Sequence, residues 1–140
     1  MTHFIVAAVQ AGSKLFDTPA TLKLFDEKLQ AAKALNADLA VFPEVFIGGY
    51  PKGIDFGVRV GMRSAEGREQ FQAYFDGAIS RGSSELKQIC KTVKKAGINS
   101  VLGIIEKDGG TLYCSSVCIG RNGEILSCLL YTSPSPRDRG

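Results

Sequence analysis

Glu44 is the residue of this chain best placed to do chemistry. It follows Pro43 and the run Leu39-Ala40-Val41-Phe42, a short unbroken apolar stretch of the kind that forms a strand covered on both faces. Behind it come Gly48-Gly49-Tyr50-Pro51, so the strand is expected to deliver one carboxylate to a sharply turning, glycine-rich loop at its C-terminal end. Open α/β sheets place their ligands at that end. Flanked by Phe42, Val45, Phe46 and Ile47, the carboxylate is expected to lose water, and dehydration of that kind tunes a carboxyl group for general-base work near neutral pH. The competing reading is a strand-end glutamate paired with an Arg or Lys and without a chemical role. Tyr50, on the same loop, would line a substrate entrance or act as an aromatic wedge between loops.

The other reactive side chains form no comparable constellation. Cys90, Cys114, Cys118 and Cys128 lack the paired CxxC spacing of a zinc site or redox motif, and read as reduced packing thiols. Cys90 belongs to a helical apolar stripe. Cys114 and Cys118 stand an even number of residues apart in one strand, so both point to the same side, and a metal there would need two further ligands that the neighbourhood does not offer. His3, next to the N-terminus, is given no role. Gly48-Gly49-Tyr50-Pro51-Lys52-Gly53 invites comparison with the phosphate loop of a nucleotide-binding α/β protein. It lacks the Walker spacing, ends in no Ser or Thr, and contains a proline that removes an amide donor.

The elements that would position Glu44 can be read from periodicity. Phe4 to Val9 is a second apolar run and the expected first strand. Asp17-Thr18-Pro19 supplies a helix cap with proline at the first helical position, and Leu22, Phe25, Leu29 and Ala32 follow at spacings of three and four. Strand, helix and the Leu39 strand make a βαβ-like opening with one helix over the sheet. Residues 54–64 read as irregular. Two helices then follow, one carrying Phe71, Tyr74, Phe75 and Ala78 as its core face, the other carrying Leu86, Ile89, Cys90 and Val93 behind Ser83-Ser84 and ending at Gly97. From Ile98 the period changes to a meander: Val101 to Ile105, a turn at Asp108-Gly109-Gly110, Leu112 to Ile119, a second hairpin signal at Asn122-Gly123, and Glu124-Ile125-Leu126.

Composition bounds the class. The 140 residues, 44% hydrophobic and 22% charged, suit one ordinary globular domain or part of one. A formal charge of +3, with Lys and Arg scattered among acids, does not imply nucleic acid. No apolar run approaches the ~20 residues of a membrane span, and the N-terminus lacks the regions of a signal peptide, so a cytoplasmic location is expected.

Phe42-Pro43-Glu44 followed by Phe46-Ile47-Gly48-Gly49-Tyr50-Pro51-Lys52-Gly53 resembles the first signature of the nitrilases, a branch of the carbon–nitrogen hydrolase superfamily. The resemblance extends back to Val6-Ala7-Ala8-Val9-Gln10-Ala11 and forward through Gly103-Ile104-Ile105-Glu106 and Gly110-Thr111-Leu112-Tyr113, covering roughly residues 4 to 127. Asn36 and Ala40 stand where a Gly and a larger aliphatic residue are expected. The resemblance implies the N-terminal part of an α-β-β-α sandwich, an α/β fold with two facing sheets and helices outside, of which this chain supplies roughly half.

It also implies a mechanism without metal or organic cofactor. A cysteine thiolate attacks a nitrile or amide carbon, a glutamate takes and returns protons, a lysine stabilises charge, and water releases the acid from a thioester. The glutamate maps onto Glu44. The family's His-Arg-Lys and Cys-Trp-Glu segments have no counterpart here, so the chain by itself is expected to be inactive. Residues 1–127 are read as the N-terminal part of the hydrolase domain. Residues 128–140 are read as a disordered, non-homologous tail, as in a truncated, frame-shifted or alternatively spliced product or foreign sequence read through at the end of a clone. The expected partners are a small nitrile or amide and, for the full-length protein, further copies of itself. The alternative is a non-catalytic fragment that binds a full-length homologue through its exposed sheet.

Overall fold

The computed structural model describes residues 3–49, 58–59 and 62–131, with side chains described for residues 3–49 and 64–129. The opening is the βαβ unit expected from the sequence. Strand β1 (Val6–Ala8) pairs in parallel with β2 (Leu39–Val41), Val6 opposite Leu39, and helix α1 (Thr18–Ala34) connects them. Asp17 caps α1 by accepting a 3.0 Å hydrogen bond from the Ala20 amide, and Pro19 lies in the first turn, where its missing N–H has no intrahelical partner to lose. Leu22, Phe25, Leu29 and Ala32 form its buried stripe.

The departure at Asn36 has a physical account. Its φ of 57° is left-handed, the conformation that a helix-terminating Gly adopts without penalty and that Asn tolerates better than other side chains. The Asn36 amide donates to the Lys33 carbonyl and the Ala37 amide to the Ala32 carbonyl, closing α1 in a Schellman motif.

Helix α2 (Ala65–Asp76) follows two short antiparallel strands, β3 (Val58–Arg59) and β4 (Met62–Arg63), in the stretch expected to be irregular. Its expected core stripe is only partly buried: Tyr74 is inside, Ala78 packs just beyond the helix, and Phe71 is 44% exposed. Phe75 instead carries the Lys107 ammonium over its ring at 5.5 Å. Helix α3 (Ser84–Ala96) starts at Ser83, whose hydroxyl accepts from the Leu86 amide, and stops at Gly97, whose φ of 69° turns the chain and lets its amide donate to the Val93 carbonyl.

Strands β5 (Asn99–Asp108), β6 (Thr111–Ile119) and β7 (Ile125–Tyr131) form the antiparallel meander. β5 also pairs in parallel with β2, giving one mixed sheet in the order β1-β2-β5-β6-β7. β7 runs to Tyr131, so residues 128–131 of the tail expected to be disordered from 128 to 140 are strand instead, paired with β6; residues 132–140 lie outside those described.

Among the described residues, one face of this sheet is much better covered than the other. Ala40, Phe42, Leu102, Ile104, Val117 and Ile119 point toward α1 and α3 and make the main core with Phe25, Leu29, Ile89 and Val93. The β2 run was expected to be buried on both faces. Instead Ala40 is fully buried while Leu39 and Val41 are half-buried, because among the described residues the opposite face is covered at one end only, by Val45, Tyr74 and Ala78 against Ile105. Val41, Val101, Ser116 and Cys118 on that second face remain half-exposed.

Candidate active site

After Phe42, whose amide donates to the Val101 carbonyl, the chain leaves β2, kinks outward over Pro43 to Val45, and rejoins β5 at Ile47. Two backbone bonds make the return: the Ile47 amide to the Gly103 carbonyl at 3.1 Å, and the Ile105 amide to the Ile47 carbonyl at 2.8 Å. Val45 closes the kink with a φ of 47°, a conformation that costs a β-branched residue on the order of 1–2 kcal/mol. Burial of its side chain among Tyr74, Ala78 and Ile105 offsets that strain. Beyond it the Gly49 amide donates to the Val45 carbonyl, and the buried Tyr74 hydroxyl donates to the Gly49 carbonyl at 2.8 Å. Gly48 has a φ of 110°, and a Cβ there would fall 2.7 Å from Ile105 Cγ1, so only glycine fits.

The kink decides where Glu44 points. Phe42, Val45, Phe46 and Ile47 are buried, as the sequence suggested, but their side chains turn into the cores, while Glu44 is exposed on the second face of the sheet. The expected dehydration of the carboxylate is therefore absent, because the apolar neighbours share its sequence and not its surroundings. Glu44 has no hydrogen-bond or ion-pair partner among the described residues. It borders a cleft of about 370 Å³ lined by Phe42, Val101, Gly103, Ser115 and Ser116. Cys114 lies near enough to respond to it: burial pushes that thiol above its ordinary value, and the Glu44 charge adds to the shift. Tyr50 and residues 51–53 of the glycine-rich loop lie outside the described residues.

Of the four cysteines, Cys90 packs at the edge of the main core and its thiol is raised by burial. Cys114 and Cys118 share the second sheet face, as their spacing required. No group of three or more His, Cys, Asp or Glu side chains able to hold a metal ion occurs among the described residues.

A second polar cluster lies on the helix-covered face and was not singled out from the sequence. Glu106, only 2% exposed, accepts from Arg81 Nε at 2.7 Å and from the Ser115 hydroxyl at 2.7 Å, with the Cys128 thiol at 3.7 Å. The Arg81 guanidinium is itself largely exposed and is held above its usual range by its hydrogen bond to Glu106 and by that carboxylate's charge. The cluster closes one side of a cavity of about 210 Å³ lined by Ile79, Leu86, Ile104, Val117 and Ile125. The available signal was the alternation of β5: Ser100, Leu102, Ile104 and Glu106 share one face, so a glutamate at the end of that series must be buried with a partner. The partner comes from a loop 25 residues away, which no local pattern announces.

These features define a mixed α/β chain that presents a carboxylate at the carboxyl end of a parallel strand, over the less covered face of its sheet. Comparison with known proteins gives the family. A family model described as carbon-nitrogen hydrolase matches residues 5–131, and the chain belongs to that family, the superfamily of the nitrilases. Among similar proteins, an aliphatic nitrilase from Sinorhizobium fredii (strain HH103) is 43% identical over 123 residues, covering 88% of this chain and 40% of the relative. A bifunctional nitrilase/nitrile hydratase from Lupinus angustifolius is 42% identical over 118 residues, covering 84% and 34%. The chain thus spans well under half the length of these relatives. An amidase from Nesterenkonia sp. has the same fold over 98% of this chain and 46% of its own, with a TM-score of 0.65 at 20% identity.

Proposed function

We propose that this chain is the glutamate-bearing segment of a hydrolase that converts nitriles or related amides to carboxylic acid and ammonia, with Glu44 as general base. The observation that carries the reading is the exposed Glu44 carboxylate at a cleft, held by a backbone kink that β5 fixes on both sides. With an amide, Glu44 takes the proton of a cysteine thiol as it attacks the substrate carbon and returns it to the leaving nitrogen; with a nitrile, the thiol adds across the C≡N bond to give a thioimidate, and a first water adds to that before ammonia leaves. After ammonia departs, Glu44 accepts a proton from the water that opens the thioester. The thiol and the charge-stabilising lysine are those that the family resemblance implies, and they belong to segments other than residues 1–140. Packing of those segments over the second sheet face would supply the dehydration that Glu44 lacks here.

The test is Glu44→Gln in the complete protein, which keeps volume and polarity and removes the proton site. Turnover is expected to fall by about 10²-fold or more with the fold retained, the usual scale of general-base removal. A kcat within a few-fold of the parent enzyme would make Glu44 a structural residue. The second reading, a non-catalytic fragment that binds a full-length homologue, is favoured by the half-exposed Val41, Val101 and Cys118 on one sheet face. Capture of the full-length protein by the 140-residue chain, lost on Val101→Lys, would support it.

A further inference from the structure

Gly103 lies in the middle of β5, a ten-residue strand, with no left-handed φ to explain a glycine. Strand interiors disfavour glycine, which loses more backbone entropy than other residues and packs no side chain. The explanation is steric. A Cβ at Gly103 would fall 2.5 Å from the Val45 amide nitrogen, 2.6 Å from the Pro43 carbonyl oxygen and 2.7 Å from Glu44 Cα. All three are backbone atoms of the kink that carries Glu44, and real Cβ atoms essentially never approach so closely. The kink therefore occupies the volume of the absent side chain.

Nor can it move aside. Its downstream end is bonded to Gly103 and Ile105 through Ile47, its upstream end to Val101 through Phe42, and Val45 is already strained and buried. We infer that Gly103 is a positioning residue for Glu44: the bare backbone of β5 is the seat that sets the height and direction of the carboxylate over the cleft. The inference rests on the reading of Glu44 as the base, and it deepens that reading by naming what aims the base. Even a methyl group at 103 displaces Pro43 to Val45 from the strand, and Glu44 with them.

The test reads geometry in the 140-residue chain and needs no turnover. Cys114 serves as the reporter, because its thiol feels the Glu44 charge. Alkylation of Cys114 by iodoacetamide is followed by mass spectrometry between about pH 7 and 10, the range in which thiols ionise, in the parent chain, Glu44→Gln, Gly103→Ala and the double variant. In the parent background Glu44→Gln is expected to speed the reaction, since removing the carboxylate charge takes away one of the two causes that hold the thiol up and so raises the thiolate fraction. In the Gly103→Ala background the ratio is expected to change clearly, because the carboxylate has moved relative to Cys114. A purely structural glycine would lower the melting temperature and leave that ratio as it is, and an unchanged ratio overturns the inference.

If Gly103→Ala does not fold, the parent chain decides by NMR. A nuclear Overhauser effect between the Gly103 Hα protons and the Val45 amide proton supports the seat, and its absence overturns it. A Glu44 that is seated as described but is not the base gives these same results together with an unchanged kcat for Glu44→Gln, so the two failures are distinguishable.

Discussion

Replacing Ser115 with alanine deletes one of the two strong donors to the buried Glu106 carboxylate and leaves nearly everything else in place. Ser115 is 3% exposed and Glu106 is 2% exposed, so water does not readily replace the lost 2.7 Å bond. Arg81 remains on the other carboxylate oxygen, but through a guanidinium that solvent screens. A hydrogen bond to a buried charged group contributes about 1.5–3 kcal/mol, and that is the expected loss. At about 3–5 °C per kcal/mol for a chain of this size, the melting temperature should fall by about 5–15 °C. Ser116→Ala is the comparison. It is one residue away on the opposite face, half-exposed, and makes no side-chain hydrogen bond among the described residues, so a change within about ±0.5 kcal/mol is expected. Thermal unfolding of both variants, followed by circular dichroism, gives the difference. Equal losses would refute the reasoning and show that Glu106 is satisfied without Ser115.

The 140-residue chain alone is expected to release no ammonia from nitriles or amides above a Glu44→Ala control, because residues that act as a unit lose most of their effect when any one is missing. Ammonia above that control would sink the claim. Asn36→Val should destabilise by about 1–2 kcal/mol in a denaturant titration, while Asn36→Gly stays near neutral, because φ at that position is 57°. Equal effects would remove the left-handed cap as the reason for Asn. Burial raises the Cys90 and Cys114 thiols above their ordinary value of 9.0. Each therefore contributes stability that is complete below the unfolded value and is lost as pH rises through the folded one. Unfolding measured from about pH 8 to 10 should show stability falling, and Cys90→Ser with Cys114→Ser should flatten the fall. An identical pH slope without the two thiols would refute it.

Local chemistry in the sequence determined most of the elements: the cap at Asp17 and the stripe from Leu22 to Ala32, the Ser83 and Gly97 limits of α3, and the hairpin signals of the meander. These depend on contacts a few residues apart, which periodicity and capping rules describe. The sequence also marked Glu44 as the residue delivered at a strand end. It did not determine the surroundings of that carboxylate. Apolar neighbours suggested dehydration, but a strand alternates its faces, and the kink at Val45 sends the flanking side chains inward and Glu44 outward.

Three further features were decided only in the tertiary structure, each by contact between distant parts of the chain. The insertion of β5 beside β2 makes one mixed sheet of the βαβ unit and the meander. Arg81 reaches Glu106 from a separate loop, and so turns a buried carboxylate from a liability into an anchor. Gly103 reads in the sequence as a weak point in an apolar strand. Only when the kink of residues 43–45 is laid against it does the missing side chain become the space in which Glu44 is seated.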